Sequence, residues 1–481
     1  MNTIGIITEY NPFHNGHRYQ IETIKARTGA QNIIIVMSGD FVQRGTPAWT
    51  DKYLRTQMAL SCGADMVFEL PVSFATASAE AFARAGVSIL TSLGFVDGIC
   101  FGSECDNLPL LQEIADFLAT PPASFEETIH TLTASGISYP AARAQALNDH
   151  FKDSCQNYPT FFSEPNNILA LEYLKAIRQS DSHLTPFLIH RKDSGYHSET
   201  LDTPLASATA IRKMSLSANV HIRQLLNAES MTTSHIDTTT PQISKEVFLR
   251  TIASVVPKEV LHILAENTTR YPITENDFST LLYYRLTHLK ESDTTILDMT
   301  EDILYRIQKL LPDFTTFSDF TAKLKTKQYT YSRISRVLLH SLLDIREFSA
   351  DSITLPYVPY ARLLGFRKEK SALLRHKTAI PVITKPADGT SQIKEFYTNV
   401  INLLLQDNTT DNDLIQNNML SFHLKENTAS SSFSTIIENY LSHACALYEK
   451  DISASNLYRQ VQNMTLGCNR SNEYRMQPLR I

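Results

Sequence analysis

Short apolar runs alternate with amphipathic segments through the first 215 residues, and this alternation constrains the fold more than any other feature of the sequence. Runs of about four to eight apolar residues are typical of buried strands, whereas apolar residues three and four apart are typical of helices. The predicted strands are 3–8, 32–39, 65–71, 97–102 and 184–190. Strands that alternate with helices form a parallel sheet covered by helices. The fold class is therefore α/β, with a Rossmann-like doubly wound parallel sheet.

The pattern changes twice after this region. From residue 216 helical periodicity dominates, and "AIPVIT" (379–384) is the one further strand that we predict. Beyond about residue 390, stretches rich in Asn, Thr, Asp and Ser surround short helical segments. A chain of 481 residues exceeds what one hydrophobic core usually serves. We expect an α/β domain (1–215), a mainly helical domain (216–389) and a C-terminal helical extension with polar linkers (390–481).

The composition is that of an ordinary globular protein, with 43% hydrophobic and 20% charged residues. No apolar run approaches the roughly 18 residues of a membrane span, and the N-terminus lacks the features of a secretory signal. The six cysteines show no paired C-x-x-C spacing, so we expect reduced thiols and no zinc site. We predict a cytoplasmic protein.

The segment "TEYNPFHNGH" (8–17) follows the first predicted strand, at the sheet edge where α/β domains bind ligands. Gly16 permits close backbone approach to a ligand. A helix predicted to begin near His17 offers unpaired N–H groups and a partial positive charge to an anion such as phosphate. His14 and His17 can both face that anion. A metal pair lacks an evident third ligand, so a phosphate site is favoured over a metal site or a purely structural pair.

In this position "NPFHNGH" resembles the HxGH motif of the nucleotidyltransferase and class I aminoacyl-tRNA synthetase superfamily, whose two histidines hold the phosphates of a nucleotide. A second element, "ASATAIRKM" (206–214), resembles the S-x-T-x-I-R motif of that superfamily. Ser207 can cap a helix, Thr209 lies in its first turn, and the guanidinium of Arg212 can reach the β- and γ-phosphates. An ordinary capped amphipathic helix is the alternative interpretation.

The resemblance extends over about the first 385 residues. It includes "VMSGDFVQRGTPAWTDKYLRTQMAL", "GADMVFELP", "FGSE", "PNNILALEYLKA", "YTYSRISRVLLH" and "PYARLLGF". Together these segments resemble the bacterial tRNA(Met) cytidine acetate ligase family. The resemblance implies a ligase with a nucleotidyltransferase-type sheet that activates acetate with ATP, as acetyladenylate, and releases pyrophosphate. It then acetylates N4 of the wobble cytidine (C34) of elongator tRNA(Met).

The resemblance also implies which residues act. The catalytic candidates are His14, His17, Ser207, Thr209 and Arg212. The ATP-binding candidates are Ile7, Thr8, Glu9, Tyr10, Asn11, Pro12, Phe13, His14, Asn15, Gly16, His17, Arg18, Tyr19, Gln20, Gly102, Asn166, Arg191 and Lys192. ATP is expected with Mg²⁺, and neither a resident metal, a membrane contact nor an obligatory protein partner is predicted.

Four of these positions also have a rationale of their own. Gly102 ends a predicted strand, where the missing side chain leaves room for an adenosine or forms a plain turn. Asn166 precedes a predicted helix, so its amide either caps that helix or contacts the nucleotide. Arg191 follows a strand and can contact phosphate, stack on a base or lie in solvent. Lys192 is expected to contribute through its backbone.

The loop "SGDFVQRGTP" (38–47) also leaves a strand end. Its polar side chains can reach the same edge of the sheet as the histidines. We expect Asp40, Gln43 and Arg44 to help bind acetate or the incoming cytidine.

Residues 321–385 contain thirteen lysines and arginines against four acidic residues, although the whole chain has a net charge of −6. Within this segment Tyr329 and Tyr331 are interleaved with basic residues, which suits phosphate contacts and base stacking. The RNA-binding candidates are Lys323, Lys325, Lys327, Arg333 and Arg336. A solvated helix face is the alternative.

Two rival functions remain open at this point. One is a nucleotidyltransferase that joins a nucleotide to a small phosphorylated metabolite, which the basic helical extension disfavours. The other is a non-catalytic RNA-binding protein, which the complete set of motif residues disfavours. The sequence names no general base.

Overall fold

The computed structural model describes residues 2–191, 208–216, 240–347, 356–406 and 430–481. The strands are β1 (Thr3–Thr8), β2 (Asn32–Ser38), β3 (Phe41–Val42), β4 (Thr46–Pro47), β5 (Met66–Leu70), β6 (Gly98–Ser103), β7 (Thr185–His190), β8 (Ala361–Phe366), β9 (Val382–Ile383) and β10 (Leu479–Arg480). The first nine helices are α1 (Asn15–Thr28), α2 (Lys52–Ser61), α3 (Val72–Ala75), α4 (Ala79–Ser92), α5 (Leu108–Ala119), α6 (Ala123–Ala134), α7 (Tyr139–His150), α8 (Pro165–Gln179) and α9 (208–216). The others are α10 (Thr240–Ile252), α11 (Lys258–Glu266), α12 (Ser279–Leu286), α13 (Glu301–Leu310), α14 (Phe317–Leu324), α15 (Tyr331–Leu343), α16 (Gly389–Gln406) and α17 (Ser430–Leu466).

The main sheet has the strand order β10-β8-β5-β2-β1-β6-β7, with β9 paired to β8. The five strands predicted from the sequence are all present, and β5, β2, β1, β6 and β7 run parallel to one another. This confirms the α/β class. Strand β1 lies between β2 and β6, so the loop that follows β1 leaves the middle of the parallel part of the sheet.

Alternate side chains of β1 enter different cores. Ile6 packs with residues of α1 and α2, whereas Ile7 packs with residues of α4 and α8. A third core joins α12, α13, α14 and α15 with part of α17. The helical character predicted after residue 216 is therefore present. Within the first 215 residues, α5, α6 and α7 are helices that the sequence analysis did not predict.

The sheet is completed by strands from the C-terminal half of the chain. Strand β9 lies within the predicted "AIPVIT" strand, but β8 and β10 were not predicted. Strand β8 pairs antiparallel with β5. It contains Arg362, which is 1% exposed and obscures the apolar pattern of a buried strand. The domain boundaries at residues 215 and 389 stay predictions, although residues on both sides of them build this one sheet.

Arg362 belongs to a buried ion-pair network that also contains Lys52, Glu69, Arg459 and Glu473. The Nζ atom of Lys52 lies 2.6 Å from Glu69 Oε1 and 2.9 Å from Glu473 Oε1. The guanidinium of Arg459 lies 2.7 Å from Glu473 Oε2. Since Glu473 follows α17, the C-terminal segment is part of the core beneath β5 and β8 and not an appended tail.

None of the helices in the described ranges has the length and apolarity that crossing a membrane would require. All six cysteines are free.

Candidate active site

His14 and His17 form a reciprocal cap at the start of α1. Helix α1 begins at Asn15, two residues earlier than predicted, and His14 is its extended N-cap residue. The Nδ1 atom of His14 accepts the Gly16 N–H at 3.1 Å, and the Nδ1 atom of His17 accepts the His14 N–H at 3.2 Å. The two rings stack with their centroids 3.7 Å apart. Because each Nδ1 accepts a hydrogen bond, the proton of each neutral ring is on Nε2.

Both imidazoles are held in the neutral form. Burial, together with the positive charges of Arg191 and Arg212, lowers the pKa of His14 from 6.5 to about 3. Burial, His14 and Arg191 lower the pKa of His17 well below its ordinary value. At neutral pH each ring therefore offers one N–H donor from Nε2 and no charge of its own.

The backbone N–H groups at the start of α1 are hydrogen-bonded, whereas the sequence analysis predicted that they are unpaired. Asn15 N–H donates to Val255 O at 3.0 Å, and Gly16 N–H donates to the His14 ring. The His17 and Arg18 N–H groups both donate to His14 O. The expectation of unpaired N–H groups for a phosphate is therefore wrong, because the cap and Val255 O already accept hydrogen bonds from them. The groups at this helix end that can donate to an anion are the imidazole Nε2–H groups and the guanidinium groups of Arg191 and Arg212.

Helix α9 brings the second motif against the first. Arg212 Nη1 donates to Asn11 O at 2.6 Å, and Nη2 donates to Thr209 Oγ1 at 3.1 Å. Trp49 fixes the same junction, since its backbone N–H donates to Asn11 Oδ1 at 2.8 Å and its indole N–H to Ser215 Oγ at 3.1 Å. Arg212 and Thr209 thus lie against the loop that carries the first motif, and Arg212 is close enough to His14 for its charge to lower the pKa of that ring. Ser207 and Lys192 lie outside the described residues.

Arg191 lies over Gly102 at the ends of β6 and β7. A Cβ atom at Gly102 would lie 3.2 Å from Arg191 Cγ and 3.3 Å from Cδ. The room left by this glycine is therefore occupied by the arginine side chain in this structure, whereas the sequence analysis expected either an adenosine there or a plain turn. The positive charge of Arg191 lowers the pKa of both histidines. His14, His17, Arg191 and Arg212 form one group, which we call the histidine–arginine cluster.

Asn166 lies inside the first turn of α8, not before the helix as predicted. Its Nδ2 donates to Glu104 Oε1, and the Asn167 N–H donates to Glu104 Oε2 at 3.0 Å. Sequence reasoning missed Asn167, which is buried and whose Oδ1 accepts the Cys105 N–H at 2.9 Å. These contacts hold the turn after β6 against α8.

The loop after β2 forms a short hairpin from β3 and β4. The Gln43 N–H donates to Glu9 Oε1 at 2.9 Å, and Arg44 is exposed at the tip. Gly45 has φ 75°, and a Cβ there would lie 2.4 Å from the Arg336 nitrogen. Only glycine therefore permits this close contact between the hairpin and α15.

Asp40 does not face the same edge as Gln43. It is 3% exposed, its Oδ1 accepts the Lys52 N–H at 2.8 Å, and its Oδ2 lies 3.9 Å from Lys52 Nζ. The burial of this carboxylate beside the ion-pair network argues against the predicted contact with acetate or cytidine.

The residues between positions 7 and 20, which were predicted to bind ATP, differ in burial and in their contacts. Tyr10 and Phe13 are buried, with ring centroids 4.7 and 5.4 Å from that of His17, so they support the ring of His17. Arg18 pairs with Glu22 and Glu259 on the surface of α1, and Tyr19 is 47% exposed. The paired and exposed positions of Arg18 and Tyr19 do not place them in the histidine–arginine cluster.

Arg55 is a second residue that sequence reasoning missed. Its guanidinium is fully buried and donates to Glu9 O at 2.8 Å and to Ser38 O at 2.9 Å. It therefore ties the ends of β1 and β2 together. The only signal in the sequence is a charged residue within the apolar pattern of "YLRTQMAL".

The RNA-binding candidates occupy two kinds of position. Lys325 and Lys327 are exposed in the turn between α14 and α15, and the guanidinium of Arg333 lies 5.2 Å from the ring centre of Tyr329. Lys323 pairs with Asp319 at 2.8 Å and Arg336 with Asp298 at 2.9 Å. The last two cations are already neutralised by carboxylates of the chain.

Comparisons with known proteins agree with this geometry. The model of the HIGH Nucleotidyl Transferase family matches residues 1–432. A tRNA(Met) cytidine acetate ligase of Clostridium novyi is 33% identical over 390 residues, which cover 80% of this chain and 90% of the relative. One from a Thermoanaerobacter species is 37% identical over 408 residues, which cover 83% of this chain and 91% of the relative.

Solved structures match the whole chain. The apo form of Thermotoga maritima TmcAL has a TM-score of 0.76 and 25% identity, with 100% of both chains covered. A second form of that protein, bound with alpha-thio ATP, has a TM-score of 0.75 and 26% identity, with 100% of this chain and 99% of the other covered.

Proposed function

The chain belongs to the tRNA(Met) cytidine acetate ligases of the HIGH nucleotidyl transferase family, and we propose on this premise that it is an ATP-dependent ligase acting on the wobble cytidine (C34) of elongator tRNA(Met). The reaction has two steps. Acetate attacks the α-phosphorus of ATP, which gives acetyladenylate and releases pyrophosphate. N4 of the cytidine then attacks the acetyl carbonyl and releases AMP.

The observation that carries this proposal is the histidine–arginine cluster. Two neutral imidazoles directed by their Nδ1 bonds, together with two guanidinium groups, provide donors for the phosphates of ATP. Donors that are fixed before the reaction stabilise the charge that develops on the phosphate oxygens, by about a few kcal/mol each. Support comes also from the relative that was solved with alpha-thio ATP.

Within the described part of the chain, no three His, Cys, Asp or Glu side chains are grouped so that they could hold a metal ion. Mg²⁺ commonly binds through substrate phosphates and few protein ligands. We therefore expect Mg²⁺ to enter with ATP. We expect the enzyme to act in the cytoplasm, where its tRNA substrate is.

The turn between α14 and α15 supports docking of the tRNA. Lys325 and Lys327 are exposed there, and Arg333 lies beside Tyr329. The hairpin of β3 and β4 connects this region to the candidate active site, because Gly45 O accepts the Ser335 hydroxyl at 2.9 Å and Gln43 N–H donates to Glu9. An RNA bound at the turn would thus lie beside the hairpin that borders the site.

The proposal is tested by nucleoside mass spectrometry of purified elongator tRNA(Met) incubated with the protein, ATP and isotopically labelled acetate. We expect labelled N4-acetylcytidine, dependent on ATP and absent from tRNA whose wobble cytidine is replaced by uridine. A protein that binds ATP but leaves no label in the RNA would contradict the proposal. A small nucleotidylated metabolite would then be the product to seek.

A further inference from the structure

We infer that Glu9 is the acceptor of the N4 amino group of the incoming cytidine and takes its proton during acetyl transfer. This inference rests on the proposed function and adds a specific role within its second step. It concerns the carboxylate of Glu9, a residue that the sequence analysis placed in the ATP-binding segment only by position.

The structure holds Glu9 at the end of β1, five residues before the N-cap residue His14. Its backbone carbonyl accepts the buried guanidinium of Arg55 at 2.8 Å. Its carboxylate Oε1 accepts the Gln43 N–H at 2.9 Å. Both contacts fix the residue between the histidine loop and the hairpin of β3 and β4.

No described residue donates a hydrogen bond to Glu9 Oε2, and the side chain is partly exposed. Two other carboxylates near this edge, Asp40 and Glu104, are engaged. Asp40 is buried and accepts the Lys52 N–H, and Glu104 accepts from both Asn166 and Asn167. Glu9 thus differs from Asp40 and Glu104 in combining partial exposure with a carboxylate oxygen to which no described residue donates.

The chemistry of cytosine favours this partner. The N4 amino group of cytosine is a donor, and carboxylates are the side chains that accept from it. N4 must lose one proton when it is acylated. In the step we infer, the N4 lone pair forms the C–N bond to the acetyl carbon, and the C–O bond to AMP breaks with its electron pair on AMP. The extra proton of N4 passes to Glu9 Oε2 and then to solvent.

Glu9 acts as a general base in this step, and such a base contributes roughly a hundredfold or more to the rate. The first step has no proton to remove, because acetate attacks as an anion. The two steps therefore respond differently to the loss of this carboxylate. A residue with a merely structural role would affect both alike.

The test is the variant Glu9→Gln, whose amide oxygen can still accept the Gln43 N–H. We expect acetylation of elongator tRNA(Met) to fall about a hundredfold, and acetate-dependent ATP–pyrophosphate exchange to fall by at least tenfold less than that. Glu113→Gln, an exposed position on α5, is the matched control and should retain both activities. Wild-type rates of tRNA acetylation in the Glu9→Gln variant, or an equal loss of both activities, would overturn the inference.

Two further measurements separate a failure of the inference from misfolding of the variant and from failure of the proposed function. If Glu9→Gln does not fold, Glu9→Asp decides by the same comparison, because it keeps the charge but withdraws the carboxylate by one methylene. A larger loss in transfer than in exchange supports the inference, and equal losses contradict it. Failure of the wild-type protein to acetylate the tRNA would instead be a failure of the proposed function.

Discussion

His14 and His17 stack with their ring centroids 3.7 Å apart while each uses its Nδ1 atom to accept a backbone N–H at the start of α1. The same two side chains therefore end the loop after β1 and direct two Nε2–H donors away from the helix. Capping and phosphate binding use different atoms of one ring. Substitutions that keep one atom and remove the other can separate these roles.

The variant His14→Asn retains an acceptor near the position of Nδ1 and lacks the Nε2 donor. Asparagine is a good N-cap residue, whereas alanine costs about 0.5–2 kcal/mol at that position. We expect His14→Asn to melt near the wild-type temperature but to lose about a hundredfold in acetate-dependent ATP–pyrophosphate exchange. His14→Ala should lose both stability and exchange. Equal exchange in wild type and His14→Asn would show that Nε2 is not used.

The depressed pKa of His14 predicts how stability depends on pH. In the unfolded chain the His14 ring binds a proton near pH 6.5. In the folded chain it does so only near pH 3, because it is buried and lies beside Arg191 and Arg212. Unfolding therefore takes up protons between these values, and stability falls as the pH is lowered from 6.5 toward 3. The slope is at most about 1.4 kcal/mol per pH unit for this group. His14→Asn should show a shallower fall in denaturation measurements from pH 7 to 4, and an unchanged slope would contradict the assignment.

Arg212→Lys tests the forked contact of α9. The guanidinium bonds Asn11 O and Thr209 Oγ1 at once, and an ammonium group cannot reproduce that planar fork. We expect the charge to be kept, the melting temperature to change little, and kcat for the exchange reaction to fall about ten- to a hundredfold. A kcat equal to that of wild type would exclude a contact of this guanidinium with the phosphates.

Glu473→Gln tests whether the C-terminal segment is part of the core. The carboxylate neutralises Lys52, Arg362 and Arg459, which are at most 3% exposed. Removing one partner from a buried ion pair costs about 3–5 kcal/mol, because the remaining charges lose their compensation. Chemical denaturation should show a loss of this size. Glu395→Gln, an exposed position on α16, should stay within about 0.5 kcal/mol of wild type, and a similarly small effect at Glu473 would contradict the role of the network.

The combined variant Lys325→Ala, Lys327→Ala and Arg333→Ala tests the tRNA surface. Each phosphate contact that is lost reduces the dependence of log Kd on log salt by about 0.7–0.9. We expect weaker tRNA binding and a flatter salt dependence, with exchange activity retained. Lys152→Ala, an exposed lysine after α7, is the matched control. Lys323→Ala should have a smaller effect than the triple variant because Asp319 already pairs with that lysine. Unchanged tRNA affinity in the triple variant would remove the turn from the interface.

The five parallel strands of the sheet could be predicted from the sequence, because each corresponds to a short apolar run. Strand β8 was missed because Arg362 interrupts it, and its charge is compensated by Glu473, more than a hundred residues away. Sequence patterns show only local periodicity, whereas the Arg362–Glu473 ion pair joins residues that are distant in the chain. For the same reason the integration of residues 430–481 into the core was not predicted.

The candidate active site could also be predicted from the sequence only in part. The HxGH spacing predicted that His14 and His17 act together, and the S-x-T-x-I-R spacing predicted Arg212. What the sequence did not reveal is the direction of each group: the cap that uses the helix amides, the burial of Asp40 and the ties made by Arg55 and Trp49. Each depends on neighbours distant in the chain.

A crystal structure of this protein with a non-hydrolysable ATP analogue tests the central claim most directly. The account predicts phosphate oxygens within hydrogen-bond distance, about 2.7–3.2 Å, of the Nε2 atoms of His14 and His17, with Arg212 beside them. A triphosphate bound elsewhere, or one held by the amides of α1 while both imidazoles point away, would contradict it.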